Sequence, residues 1–227
     1  MIPMTRLLRQ TSASFFTSLV LCFCVNFYSG CSTDETDESD PTALLKEAEE
    51  NIEGSRFLLA IDQLKSLKNQ HPYSDEAITA SLRLADVYFL QENFLEASAQ
   101  YEAFKDLHPK HASTEYAVFR TGLSRYKDAP EKLQRDLTSL SKAEQDFKEY
   151  LERYPTGSFR ADAETNYKEA REKLAKKQMM IARWYRGQKM YEAARGRYQK
   201  VVSEYSDTAS HAAAENEFKA IEGKVDP

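Results

Sequence analysis

The side chains able to do chemistry are few in this chain and poorly placed for it. His108 and His111 are three residues apart, a spacing that can put two imidazoles on one helical face around a metal. Pro109 stands between them, so they belong to a turn, and no third ligand is marked by spacing. They read as surface histidines. Aspartate and glutamate number 36 and are spread along the whole chain, so no carboxylate pair stands out as an acid/base couple. Most of them belong to solvated helix faces. There is no glycine-rich phosphate loop, no nucleophile elbow and no HExxH. The pattern points to a protein that is not an enzyme, takes no metal or cofactor, and acts by binding.

Of the three cysteines, Cys31 is the one set for covalent chemistry. Arg6 and Arg9 make a positive start, an apolar and hydroxyl-rich run follows from Phe15 to Tyr28, and the small residues Ser29 and Gly30 lead into Cys31. That is the layout of a signal peptide over residues 1–30. Small residues directly before a cysteine resemble the lipobox of bacterial lipoproteins, whose cysteine is acylated, with palmitate or a similar chain, and becomes the mature N-terminus. Tyr28 stands where that pattern usually has leucine. The competing readings are an uncleaved anchor and an ordinary signal peptide with Cys31 as a bystander, and the apolar run is short for a permanent span.

Cleavage would remove Cys22 and Cys24, so no internal disulfide could form and the fold would rest on packing alone. It would leave 29 basic residues against 36 acidic ones, a formal net charge of −7, which disfavours nucleic acid as a partner. Between Cys31 and Pro41 the chain reads STDETDESD, with five acidic residues and no apolar one. Residues 31–41 therefore read as a lipidated cysteine followed by a solvated tether.

What must position any binding surface is the remainder, 42–227. Glycine and proline number only seven each and charged residues make up 30%, as in a helix-rich globular chain. Ala85, Tyr88, Phe94, Ala97, Tyr101, Phe104 and Pro109 follow one another at the spacing of a tetratricopeptide repeat, two antiparallel helices with small residues where they cross and a proline after the second. A first copy lies in Ala48, Phe57, Ala60, Leu64, Leu67 and Pro72, with Ala60 and Ala97 offset by 37 residues. A third uses Gly122, Ala143, Phe147, Tyr150 and Pro155, with about nine residues inserted around Pro130 and RDLTS. A fourth uses Ala182, Tyr185, Tyr191, Ala194, Tyr198 and Val201, with Ser206 in place of proline. No glycine or proline interrupts the chain between Gly157 and Gly187, which predicts one helix of about 28 residues entering that fourth copy. A polar helix over 208–221, with Ala212, Ala213, Phe218 and Ile221 available for its inner face, would cap the stack. The expected fold is all-α, a tetratricopeptide-repeat helical-hairpin solenoid of four to five helix pairs.

The first helices of such a solenoid line a concave surface. Counting from the small-residue positions puts Leu82, Asp86 and Phe89 of the second repeat, and Tyr116, Phe119 and Tyr126 of the third, on that surface as a partly aromatic groove. The competing reading is that several of them pack against the neighbouring hairpin instead.

The joint order of these features resembles the BamD (ComL) family, outer-membrane lipoproteins of the β-barrel assembly machine. The lipobox-like cysteine, AIDQLKSLKNQHPYSDEA, LHPKHASTEYAVFRTGLSRY, RDLTSLSKAEQDFKEYLERYPTGSFRADA, LAKKQMMIARWYRGQKMYEAA and RYQKVVSEYSDT follow one another in the order seen in the family, and the similarity covers most of Thr42 to Thr208. The resemblance implies a non-catalytic protein lipid-anchored at the periplasmic face of the outer membrane, and Ser32 after the cysteine is compatible with that sorting. It implies, as partners, the barrel-forming subunit BamA, bound through the C-terminal repeats, other assembly lipoproteins, and unfolded outer-membrane proteins engaged by the N-terminal repeats. Arg197 matches a family arginine of the C-terminal contact region, with Arg195 beside it. The alternative is a repeat-built envelope scaffold of the cell-division or cell-wall coordinator type, or an accessory wall-binding protein.

Overall fold

The computed structural model describes residues 40–227; Cys31, the leader and the acidic stretch up to Ser39 lie outside the described residues. The first described residue already has a structural task. The Asp40 side chain accepts the Thr42 amide at 3.0 Å and caps α1, Pro41–Glu53, with Pro41 in the first turn where its missing N–H costs nothing. There follow α2 (Phe57–Gln70), α3 (Asp75–Leu90), α4 (Phe94–Leu107), α5 (Thr114–Asp128), α6 (Thr138–Arg153), α7 (Arg160–Gly187), α8 (Tyr191–Glu204) and α9 (Ser210–Lys219). Among the described residues there is no strand, and no helix is long and apolar enough to cross a membrane. Each helix packs on the next in chain order, and α1 also meets α3, α5 meets α7 and α7 meets α9. That is the connectivity of hairpins α1/α2, α3/α4, α5/α6 and α7/α8 stacked in sequence and closed by α9, the expected solenoid.

The repeat landmarks form its core. Ala48, Ala60, Ala85, Ala97, Ala143, Ala182 and Ala194 are fully buried, as are Leu64, Tyr101, Phe147 and Tyr198 behind them. In the third hairpin the small residue on the first helix is Gly122, for a reason visible in the crossing. A Cβ there would lie 3.1 Å from Asp146 Cβ and from two Phe147 ring atoms. The long helix is α7, 28 residues and roughly 42 Å. Its first half supplies Ala163 to the core around Phe147 and Tyr150, and its second half supplies Ala182 to the core around Ala194 and Tyr198. One rigid element thus spans two core clusters.

Two kinds of turn recur. The second helices end at His71, His108, Tyr154 and Tyr205, all with φ between −127° and −124°. The amide of each donates four residues back, and its carbonyl accepts from Ser74, His111, Gly157 and Thr208 respectively. Ser206 in place of proline leaves this geometry unchanged at Tyr205. The other turn joins the helices within a hairpin and uses a left-handed residue, Ser55 (φ 55°), Glu92 (φ 60°) and Lys189 (φ 62°). After each, an amide reaches back over the helix end, from Arg56 to the Asn51 carbonyl, Asn93 to Tyr88 and Met190 to Tyr185. The third hairpin replaces this turn with the insertion, residues 129–137, between α5 and α6. Its Leu137 is buried in one core cluster with Leu140, Leu174, Ala175 and Met179, so the insertion is anchored by an apolar plug.

The cap departs from expectation in register. Ala212 and Ala213 are exposed, and the inner face is Ser210, Ala214, Phe218 and Ile221. Positions four apart share a helical face, and Ser210 fixes that face because its hydroxyl meets Glu172 of α7 at 2.9 Å. α3 begins at Asp75, where the Ser74 hydroxyl oxygen accepts the Ala77 amide at 3.1 Å.

Glu92 is exposed and holds a left-handed conformation that glycine adopts without strain. Glu92→Gly is expected to raise unfolding stability by about 0.5–1 kcal/mol, read as a higher denaturation midpoint at unchanged slope.

Candidate functional site

α3 and α5 bring Asp86, Phe89 and Tyr116 together, and Leu82 joins them on the apolar cluster of Ala85, Ala97, Tyr101, Phe104 and Ala117. The centre of the group is the Asp86 carboxylate, buried in spite of its charge. Oδ1 accepts the hydroxyls of Tyr101 at 2.5 Å and Tyr116 at 2.8 Å, and Oδ2 accepts Arg83 Nη1 at 3.0 Å. Arg83 in turn is held by both oxygens of Glu49 on α1. Burial is the largest cause pushing both phenol pKa values up, and the neighbouring Asp86 charge adds to it, so both stay donors. For Arg83 the hydrogen bond it donates to Glu49 raises an already high pKa. The result is a polar chain from α1 through α3 and α4 to α5, along the first helices of three hairpins.

Arg120, one turn beyond Tyr116, completes the site. Its guanidinium carbon lies 3.6 Å from the centre of the Phe89 ring and 5.5 Å from the rings of Tyr101 and Tyr116. Its Nε donates to the Tyr101 hydroxyl oxygen at 3.1 Å. Tyr116 also approaches Phe159, the residue before α7, at 5.8 Å. The surface is therefore aromatic with one cation in it, suited to an extended peptide carrying large apolar side chains.

The other two candidates of the groove are elsewhere. Phe119 is buried at 5% exposure and lies flat against Phe159, ring centres 4.8 Å apart, so it builds the wall behind the surface. Tyr126 bridges α5 and α7 by donating its hydroxyl to Glu169 at 2.6 Å, with its pKa pushed up to about 12, mainly by burial and then by that carboxylate. Arg120, Arg83 and Tyr101 were missed as site residues. The signal was available in the spacing, Tyr116 to Arg120 and Arg83 to Asp86 each being one helical turn. His108 and His111 both pack on the Phe104 ring at their turn, at 5.1 and 5.5 Å.

The C-terminal candidates divide. Arg195 donates Nη1 to the Lys224 carbonyl at 2.7 Å and Nη2 to Glu192, so it fastens the chain end beside α8. Arg197 donates Nη1 to Gln178 of α7 at 3.0 Å and has no carboxylate partner among the described residues. Trp184 and Met190, at 59% and 42% exposure, add large apolar area to the same hairpin. Beneath them Glu217 of α9 gathers Arg183, Arg186 and the Tyr198 hydroxyl.

Hydrogen bonding from Arg183 is the largest cause holding the Glu217 carboxyl below its ordinary value of 4.5. A carboxyl with a depressed folded value contributes stability above its unfolded value and loses it as pH falls through the folded one. Stability is therefore expected to drop on acidification below about pH 4.5. Glu217→Gln keeps the Tyr198 hydrogen bond and is expected to flatten this part of the profile, as measured by urea midpoints across the acid range.

A protein-family model described as an outer membrane lipoprotein, YfiO, matches residues 37–220. Among curated relatives, the outer membrane protein assembly factor BamD of Neisseria meningitidis serogroup A is 27% identical over 197 residues, covering 79% of this chain and 74% of the relative. The protein of the same name from Vibrio cholerae is 25% identical over 190 residues, 79% of each chain. That from Rickettsia prowazekii is 26% identical over 206 residues, 89% of this chain and 79% of its own. With the repeats, the insertion and the long α7 all inside the matched span, the chain belongs to the YfiO family of outer membrane lipoproteins.

Proposed function

We propose that the chain is a non-catalytic lipoprotein subunit of outer-membrane β-barrel assembly, binding unfolded outer-membrane proteins and a BamA-like barrel-forming subunit so that the clients fold and insert. The family match over residues 37–220 carries this reading, since its relatives are outer membrane protein assembly factors. The geometry supports a division of labour. The surface of Leu82, Phe89, Tyr116 and Arg120 offers aromatic and cationic contacts to an extended client, and it is held rigid from beneath by Asp86. The hairpin α7/α8, with Arg197 and Trp184, offers a second and chemically different surface for the barrel-forming subunit and for other assembly lipoproteins. Holding is by apolar contact and side-chain hydrogen bonds, with no bond made or broken in the client.

In this reading the protein is anchored at the periplasmic face of the outer membrane by lipid on Cys31. Cys31→Ala is expected to move it from the membrane fraction to the soluble one on fractionation; retention in the membrane would sink the anchor. Arg197→Asp reverses a charge that lacks a carboxylate partner among the described residues and gives up the bond to Gln178. It is expected to lower recovery of the barrel-forming subunit in affinity purification by about tenfold, equivalent to ~1.4 kcal/mol. Unchanged recovery with a normally folded variant would remove Arg197 from the contact.

A further inference from the structure

Among the described residues seven arginines are half-buried, Arg83, Arg120, Arg125, Arg171, Arg186, Arg195 and Arg197. Five of them bind a carboxylate: Arg83 takes Glu49 and Asp86, Arg125 takes Glu102 and Asp146, Arg171 takes Glu144 and Asp207, Arg186 takes Glu217, and Arg195 takes Glu192. Arg197 gives a terminal nitrogen to Gln178. Arg120 differs from all of these, because only its Nε is used and both terminal nitrogens lack a hydrogen bond among the described residues.

Its surroundings keep it that way. The nearby carboxylate, Asp86, already accepts from two phenols and Arg83, and Glu49 is taken up by Arg83. Stacking on Phe89 occupies the face of the guanidinium, which leaves the in-plane N–H groups of the terminal nitrogens as a planar fork. A fork of that shape matches the two oxygens of a carboxylate. Phe89, Tyr116 and Phe159 supply apolar surface beside it.

We infer that Arg120 is a carboxylate receptor within the groove, taking a carboxylate that lies next to an aromatic residue in an extended peptide. The inference rests on the reading of this groove as the client surface. The carboxylate can come from a chain end or from an acidic side chain, and both place two oxygens in the plane of the fork. Phe89 and Tyr101 act here as positioning residues, one through stacking and the other through the hydrogen bond to Nε.

The test uses the purified full chain and labelled peptides of alternating polar and apolar residues ending in phenylalanine. One peptide is a free acid, one is its amide, and one is an amide with glutamate before the phenylalanine; binding is read by fluorescence anisotropy. The peptide whose carboxylate the fork takes, the free acid or the glutamate amide, is expected to bind about tenfold tighter than the neutral amide. Arg120→Gln should erase that difference, and Arg120→Lys should restore only part of it because an ammonium has no fork. If only the glutamate peptide binds tighter than the neutral amide, the source is an acidic side chain; if only the free acid does, the source is the chain end; if both do, the fork takes either. Equal binding of all three peptides to the native chain, or a difference that survives Arg120→Gln, overturns the inference and leaves the groove standing. If none of the three peptides binds, the client groove falls as well. Should Arg120→Gln not fold, the comparison on the native chain and on Arg120→Lys still decides.

Discussion

Everything in the solenoid depends on how closely its paired helices approach, and that is set by side chains no larger than alanine at each crossing. Ala48 and Ala60, Ala85 and Ala97, Gly122 and Ala143, and Ala182 and Ala194 are the pairs of small residues in the four hairpins, the alanines among them without exposed surface. Interaxial separation of packed helices runs about 8–10 Å depending on the contacting residues, and small ones bring the next layer within reach. That layer is where Leu64, Tyr101, Phe147 and Tyr198 sit. The ring of Tyr101 fills the core between the second and third hairpins while its hydroxyl reaches Asp86. A wider crossing would separate those two tasks, and the groove would lose its support along with the core.

Asp86 shows what that support is worth. A buried carboxylate costs several kcal/mol unless its oxygens are satisfied. Here they are satisfied from three directions, by Tyr101 of α4, Tyr116 of α5 and Arg83 of its own helix. Replacing the group by hydrocarbon of equal volume need not weaken the fold. What such a replacement would lose is orientation, since Tyr116 and, through Tyr101, Arg120 take their positions from this one acid. The polar network holds the orientation of the aromatic and cationic side chains around it.

The repeat architecture was legible because its signal is redundant. Four copies carry small and aromatic residues at related spacings, and a run free of glycine and proline marked α7 with nearly its true length. The turns within the hairpins were not legible. Left-handed residues are usually signalled by glycine or asparagine, and here they are Ser55, Glu92 and Lys189, held by the hydrogen bonds closing behind them. Helical periodicity set the candidate residues on α3 and α5 but could not separate their outward face from the side turned to the next hairpin. Tyr116 and Phe119 are adjacent on that count, and a neighbouring residue decides between them. The Asp86 carboxylate draws the Tyr116 hydroxyl to the surface side, while Phe119 meets the rings of Phe147, Tyr150 and Phe159.

The charge pattern follows the same logic of pairing across repeats. At the boundaries between hairpins an arginine on a first helix collects carboxylates from the elements around it, Arg125 from α4 and α6, and Arg171 from α6 and the turn after α8. Such contacts are worth little individually when exposed, but Arg125 and Arg171 are largely covered and make several charge-assisted bonds each. They tie each first helix to the elements packed beside it. An acidic chain can saturate its half-buried arginines in this way, and among the described residues it does so at five of seven. The two without carboxylates, Arg120 and Arg197, fall on different hairpins, one among aromatic rings and one against a glutamine. With carboxylates in excess along the chain, the proposed contact roles of Arg120 and Arg197 rest on half-buried charge that the solenoid itself leaves without a carboxylate.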